Sequence, residues 1–164
     1  MADNLNTAYI ALGANLGDRR STLLSALAAL SATKDIEILS VSEMIETEPE
    51  GLAGQGRYLN AAASLRTSLT PQQLLNVMLE IENSHGRDRS KEKRWGPRVL
   101  DLDLLMYEEL VINEKGLILP HPRMHMRAFV LEPLAEIASQ IVHPILNETI
   151  AALLKQVSSH ARVE

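Results

Sequence analysis

The stretch VLDLDLLMY, residues 99–107, constrains the fold more than any other. Val99, Leu100, Leu102, Leu104, Leu105 and Met106 belong in a protein interior, yet Asp101 and Asp103 interrupt them. Carboxylates are expensive to bury unpaired, so the run needs a geometry that separates the two kinds of side chain. A β-strand supplies it. Residues two apart project to the same side, roughly 6.5–7 Å apart along the strand, so Asp101 and Asp103 face one way while Leu100, Leu102 and Leu104 face the other. The leucines can then pack under helices and the acids can leave the core.

The rest of the chain supplies partners for such a strand. TAYIALGAN reads as a buried strand ending at Gly13, after which Asp18 offers an N-cap to a helix with Leu23, Leu27 and Leu30 on one face. IEILSVSEMI, residues 36–45, reads as a second strand, and TEPEGLAGQG, residues 47–56, as a long loop. YLNAAASLRT, residues 58–67, is a third strand. Thr70, Pro71 and Gln73 then form a capping box with proline at the first helical position, opening a helix whose Leu74, Met78 and Ile81 share a face. The order strand, helix, strand, strand, helix, strand is that of an α+β, ferredoxin-like βαββαβ sandwich, a mostly antiparallel sheet with helices on one face. Residues 108–164 then form C-terminal additions, with further helices expected over 132–138 and 149–157.

At 164 residues and 46% hydrophobic content, the chain reads as one domain, 1–164, with a substantial core. Cysteine is absent, which excludes disulfides, thiolate metal sites and a cysteine nucleophile. No secretory leader or membrane-length apolar segment is visible, so a cytoplasmic protein is expected. Residues 87–98 carry six basic side chains against two acidic ones, a local +4 within a chain of net charge −5. Such a run is either a solvated loop or a polyanion site.

The run directly precedes Asp101 and Asp103. Two carboxylates on one strand face suit Mg²⁺, a hard cation that takes oxygen ligands and completes its shell with water and phosphate. Alternatively, both acids pair with the neighbouring arginines. A nucleic-acid-binding module is disfavoured by 3% aromatics and the negative net charge. Gly13, Asn15 and Gly17 form a possible phosphate turn, but no Walker lysine follows.

The run RWGPRVLDLDLL resembles the signature of the 6-hydroxymethyl-7,8-dihydropterin pyrophosphokinase family of folate biosynthesis. YIALGANLGD, the T-x-P loop followed by YLNAA, E-x-x-x-G-R-x-R at 82–89 and PHPRMHMRAF at 120–129 follow in the family's order, so the resemblance covers residues 8–135. It implies an ATP-dependent diphosphotransferase that passes the β,γ-diphosphate of ATP to the pterin hydroxymethyl group and releases AMP. Asp101 and Asp103 would hold two Mg²⁺ ions, with Asp103 a candidate proton acceptor, and Arg87 and Arg98 would join them as catalytic groups. Glu82, Arg87, Arg89, Arg98, Leu104, His121 and Arg127 would contact the nucleotide and its phosphates.

The same resemblance assigns the pterin pocket. Tyr58 and Asn60, two apart on a strand, share a face, so a stacking ring lies beside an amide. By resemblance Phe129 supplies the opposing ring, Asn60 reads the pyrimidine edge, and Thr47, Gly51, Leu52, Trp95 and Asp101 complete the substrate contacts. Leu79, Ser90, Gly116 and Pro122 depart from the family pattern around the nucleotide. The basic loop and the 47–56 loop are expected to close over the substrates. The expected partners are ATP and the pterin, without nucleic acid or membrane, and the expected state is a monomer. A metal-dependent phosphohydrolase using the same aspartates is the alternative.

Overall fold

The computed structural model describes residues 4–47, 57–86 and 99–163. The expected loop residues Gly51, Leu52, Arg87, Arg89, Ser90, Trp95 and Arg98 lie outside them.

Among the described residues the elements run β1 (Asn6–Ala14), α1 (Arg19–Ala32), β2 (Ile36–Val41), β3 (Ile45–Thr47), β4 (Tyr58–Thr67), α2 (Pro71–Ser84), β5 (Asp101–Tyr107), β6 (Ile112–Glu114), β7 (Leu117–Leu119), α3 (Ala128–Ala138) and α4 (Ile150–Val163), with a short 3₁₀ turn at Met124–Met126. The main sheet has the order β2-β4-β1-β5, with β3 also on β4, and every pairing is antiparallel.

Local chemistry sets the helix starts. The Asp18 side chain accepts from the Ser21 N–H at 3.1 Å, capping α1. At α2 both bonds of the capping box are present: the Gln73 N–H donates to the Thr70 hydroxyl, and the Thr70 N–H donates to the Gln73 side chain. Leu23, Leu27 and Leu30 of α1 and Leu74, Met78 and Ile81 of α2 are all buried, as their spacing predicts.

Three features depart from the sequence reading. The strand expected over 36–45 is two strands. The Ser42 hydroxyl accepts the Ala62 N–H at 2.9 Å, doing the work of a ladder carbonyl, and regular pairing resumes only at Ile45. A β6–β7 hairpin, turning at Gly116 with φ +83°, was not anticipated; it returns the chain to β5, where the His121 N–H donates to the Leu105 carbonyl at 2.8 Å. Finally, helices cover both faces of the sheet.

Two cores result. On the α1/α2 face lie Ala8, Ile10 and Leu12 of β1, Leu59, Ala61, Ala63 and Leu65 of β4, and Leu102 and Leu104 of β5. On the other face, Tyr9, Ala62, Leu105 and Met106 meet Val130, Leu131 and Leu134 of α3 and Ile150 and Leu153 of α4. Each large aliphatic side chain taken out of water there contributes roughly 1.5–3 kcal/mol. α3 begins at Ala128, earlier than the expected 132, and runs through Pro133 because four of its other residues are buried in this second core. A bulge where β5 meets Tyr9 and Ile10 lets Leu105 and Met106 both enter the second core, after strict alternation through Leu104.

Candidate active site

Alternation along β4, β1 and β5 brings the expected residues to one end of the α3 side of the sheet. Asn60 on β4 pairs with Gly13 on β1, and Gly13 pairs with Asp101 on β5; in the next row Ala62, Ala11 and Asp103 align. Paired residues share a sheet face, so Asn60 and both aspartates lie on the side opposite Leu102 and Leu104. Two strand spacings separate β4 from β5, about 10 Å. Glycine and alanine occupy the middle strand, so β1 itself puts no side chain larger than a methyl between the amide and the carboxylates.

The amide end is organised before any ligand arrives. Asn60 is buried, and its Nδ2 donates to the Thr47 hydroxyl at 2.5 Å, tying β4 to β3. Tyr58 pairs with Thr47 in the neighbouring row of that face. Phe129, in the first turn of α3, packs at the edge of the second core on the same side of the sheet. The Arg127 guanidinium lies over its ring, 5.5 Å from the centroid.

The carboxylate end is fixed from behind. Glu82 of α2 is only 1% exposed, and its carboxylate accepts the Leu102 N–H at 2.7 Å. Leu102 lies between the two aspartates, so a buried acid holds their strand from the opposite face. Glu82, expected as a nucleotide contact, is thus buried behind β5 rather than on the surface of α2. Asp101 and Asp103 are themselves partly exposed.

His121 joins this end. The Arg123 N–H donates to its Nδ1 at 3.2 Å, which leaves the ring proton on Nε2. Burial pushes the His121 imidazole down to about 4, helped by Arg127 and then Arg123, while Asp101 acts in the opposite direction. Arg127, Asp101 and Arg123 therefore each lie within electrostatic reach of His121, and near neutrality the ring is an uncharged donor.

Other expected positions fall elsewhere. The Leu104 side chain lies in the α1/α2 core, on the face away from the aspartates. Leu79 lies on α2, and Gly116 sits at the β6–β7 turn. Tyr9 and Tyr107 sit at the other end of the sheet, where the Tyr107 hydroxyl donates to the Leu69 carbonyl at 2.6 Å. Two residues were missed. Arg123 stood unassigned within PHPRMHMRAF, although its spacing from His121 was visible. Gly13 was read as the end of a strand and as part of a possible turn, although a glycine inside a strand signals close approach by another group. Among the described residues, no group of three or more His, Asp or Glu side chains forms a metal cluster, and no helix is long and apolar enough to cross a membrane.

Comparison with known proteins identifies the family. The family profile described as 7,8-dihydro-6-hydroxymethylpterin-pyrophosphokinase (HPPK) matches residues 9–139. A 2-amino-4-hydroxy-6-hydroxymethyldihydropteridine pyrophosphokinase of Bacillus subtilis is 48% identical over 136 residues, 83% of this chain and 80% of the relative. The enzyme of the same name from Methylorubrum extorquens is 44% identical over 162 residues, 98% of this chain and all of the relative. Among solved structures, an HPPK-DHPS in complex with substrates superposes with a TM-score of 0.77 at 14% identity, covering 97% of this chain and 44% of that one. Plasmodium falciparum HPPK-DHPS with pteroate gives 0.76 at 16% identity over 98% of this chain and 44% of that one. These structural likenesses concern the fold, and the chain spans a little under half of those longer chains. With a family profile over most of its length and relatives above 40% identity, this chain belongs to the HPPK family, the pyrophosphokinases of folate biosynthesis.

Proposed function

We propose that this chain transfers the diphosphate of ATP to the hydroxymethyl group of 6-hydroxymethyl-7,8-dihydropterin, giving AMP and the pterin diphosphate. One observation carries the reading: the Thr47–Asn60 pair and the Asp101/Asp103 pair stand on the same sheet face, two strands apart, with only glycine and alanine between them. A flat heterocycle at one end and an anionic phosphate chain at the other match that separation.

The donor set fits Mg²⁺. Both candidate ligands are partly exposed carboxylates in adjacent rows, and Asp103 has the small Ala11 as its cross-strand neighbour. Asp101 and Asp103 would hold two such ions, which would neutralise the phosphate charge that transfer develops. The chain's own groups do the remaining work. Glu82 holds the Leu102 backbone, so the two aspartates keep their relative position as charge moves. His121, neutral with its proton on Nε2, donates to a phosphate oxygen without adding a cation that would have to be desolvated. Arg127 and Arg123 set a positive border near it. Arg87, Arg89 and Arg98 carry the bidentate phosphate contacts that family resemblance assigns to them, and any contact from Leu104 comes from its backbone.

Tyr58 and Phe129 supply stacking surfaces for the pterin, with Asn60, Thr47, Gly51, Leu52 and Trp95 around it. Holding the hydroxymethyl oxygen against the phosphate supplies the proximity that a bimolecular reaction lacks. The strand order, with α1 and α2 packed on one face, supports a ferredoxin-like core to which α3 and α4 are added. A single domain acting as a monomer is part of this reading, since every assigned residue comes from one chain. So is a cytoplasmic location, where ATP is available. The relatives described above are pyrophosphokinases and give no support to the phosphohydrolase alternative.

The test is AMP formation from ATP and Mg²⁺ with and without the pterin. AMP that accumulates only with pterin, matched by pterin diphosphate, is expected. Equal AMP release in its absence refutes the reading.

A further inference from the structure

Gly13 has no role in the mechanism above, yet its environment is specific. It lies inside β1, and its backbone is not among the positive-φ glycines, so no unusual conformation demands a glycine there. A Cβ at this position would stand 2.9 Å from Asn60 Oδ1 and 3.6 Å from Tyr58 Cδ1. The first distance is well inside the roughly 3.5 Å at which heavy-atom contacts become favourable. The Asn60 amide therefore occupies the volume that any side chain at 13 would take.

The orientation of that amide follows. Its nitrogen reaches back to Thr47 on β3, and its oxygen lies over Gly13 on the opposite side, toward the Asp101 row. Among the described residues Oδ1 accepts no hydrogen bond. We propose that Gly13 is a positioning and specificity residue of the pterin site: its missing side chain lets Asn60 lie across β1 and present an unpaired carbonyl oxygen to the N–H edge of an aminopyrimidinone ring. The ligand class rests on the pyrophosphokinase reading; the coupling of Gly13 to Asn60 does not.

Alanine at 13 should displace Asn60 without unfolding the protein, because the clash is with the end of a side chain rather than with backbone. In ¹⁵N-labelled protein without ligand, the Asn60 side-chain amide pair, identified by its disappearance in Asn60→Ala, should shift in Gly13→Ala. By calorimetry with a non-hydrolysable ATP analogue and Mg²⁺ present, pterin should bind Gly13→Ala roughly ten-fold more weakly or worse, while the analogue itself binds unchanged. In an Asn60→Ala background the same substitution should add less than about two-fold, since its route of action is gone. Thr47→Val releases the amide from its other side and should weaken pterin in the same direction, which keeps the test open if Gly13→Ala folds poorly. An unmoved Asn60 amide, unchanged pterin affinity in both variants, or a full loss that persists without Asn60 would overturn the proposal. Wild-type protein that binds no pterin would instead sink the pyrophosphokinase reading, while the ligand-free amide shift still decides whether Gly13 sets Asn60.

Discussion

Replacing Glu82 by alanine tests how β5, the strand of Asp101 and Asp103, is held. The side chain is 1% exposed, and its carboxylate accepts the Leu102 N–H at 2.7 Å. Alanine leaves that buried donor without its acceptor, at a cost of roughly 1–3 kcal/mol, and removes buried methylenes as well. A combined loss of about 2–4 kcal/mol corresponds to a fall in Tm of roughly 4–16 °C for a chain of this size. Glu82→Gln keeps an acceptor of the same length and should recover most of that stability. Activity should separate the two effects. Leu102 lies between Asp101 and Asp103, so loosening it shifts both acids, and Glu82→Ala should raise the Mg²⁺ concentration needed for half-maximal AMP formation even at temperatures where the variant is fully folded. Urea unfolding with linear extrapolation, paired with a Mg²⁺ titration of turnover, measures both. A variant with wild-type midpoint and wild-type Mg²⁺ dependence would refute the claim that Glu82 anchors this strand.

Asp103→Ala should reduce turnover by orders of magnitude while leaving the unfolding midpoint unchanged or raised, because it removes a like-charge neighbour of Asp101; retained activity at saturating Mg²⁺ would remove both aspartates from metal binding. Unfolded His121 takes up a proton near its ordinary 6.5, whereas the folded ring stays neutral to about 4. The unfolded state thus binds more protons in that window, and stability should fall as pH drops through it, by up to about 3 kcal/mol before solvent screening reduces the figure. His121→Asn should flatten that part of the stability-versus-pH curve measured by urea unfolding, and an identical slope would contradict the depressed value. Tyr107→Phe removes the hydroxyl bonded to the Leu69 carbonyl and to the Asn6 amide, so it should cost about 1 kcal/mol or more of stability with no change in KM for either substrate.

Much of the candidate site could be read from strand periodicity alone. Asp101 and Asp103, and likewise Tyr58 and Asn60, share a face because side chains alternate with period two, whatever else the chain does. The capping box at Thr70 and the buried stripe Leu74, Met78 and Ile81 were local for the same reason. The interruption at Ser42 was not legible, because it depends on a hydroxyl meeting the Ala62 N–H of a strand remote in sequence. Nor was the hairpin that brings His121 to β5, since its three-residue strands are too short to show a period. Residues 48–56 and 87–98, which carry the expected loop arginines and Trp95, stand outside the described residues.

The sequence by itself determined which side chains could act together along each strand, and with them the chemistry of carboxylates, arginines and stacking rings, because covalent spacing and backbone geometry settle those matters within a few residues. Only the tertiary structure decided what lies across the strands. The antiparallel register set Gly13 between Asn60 and Asp101, buried Glu82 behind Leu102, and lowered His121 by enclosing it near Arg123 and Arg127. Those relations depend on contacts between segments tens of residues apart, and no local propensity encodes which atom a given side chain will meet.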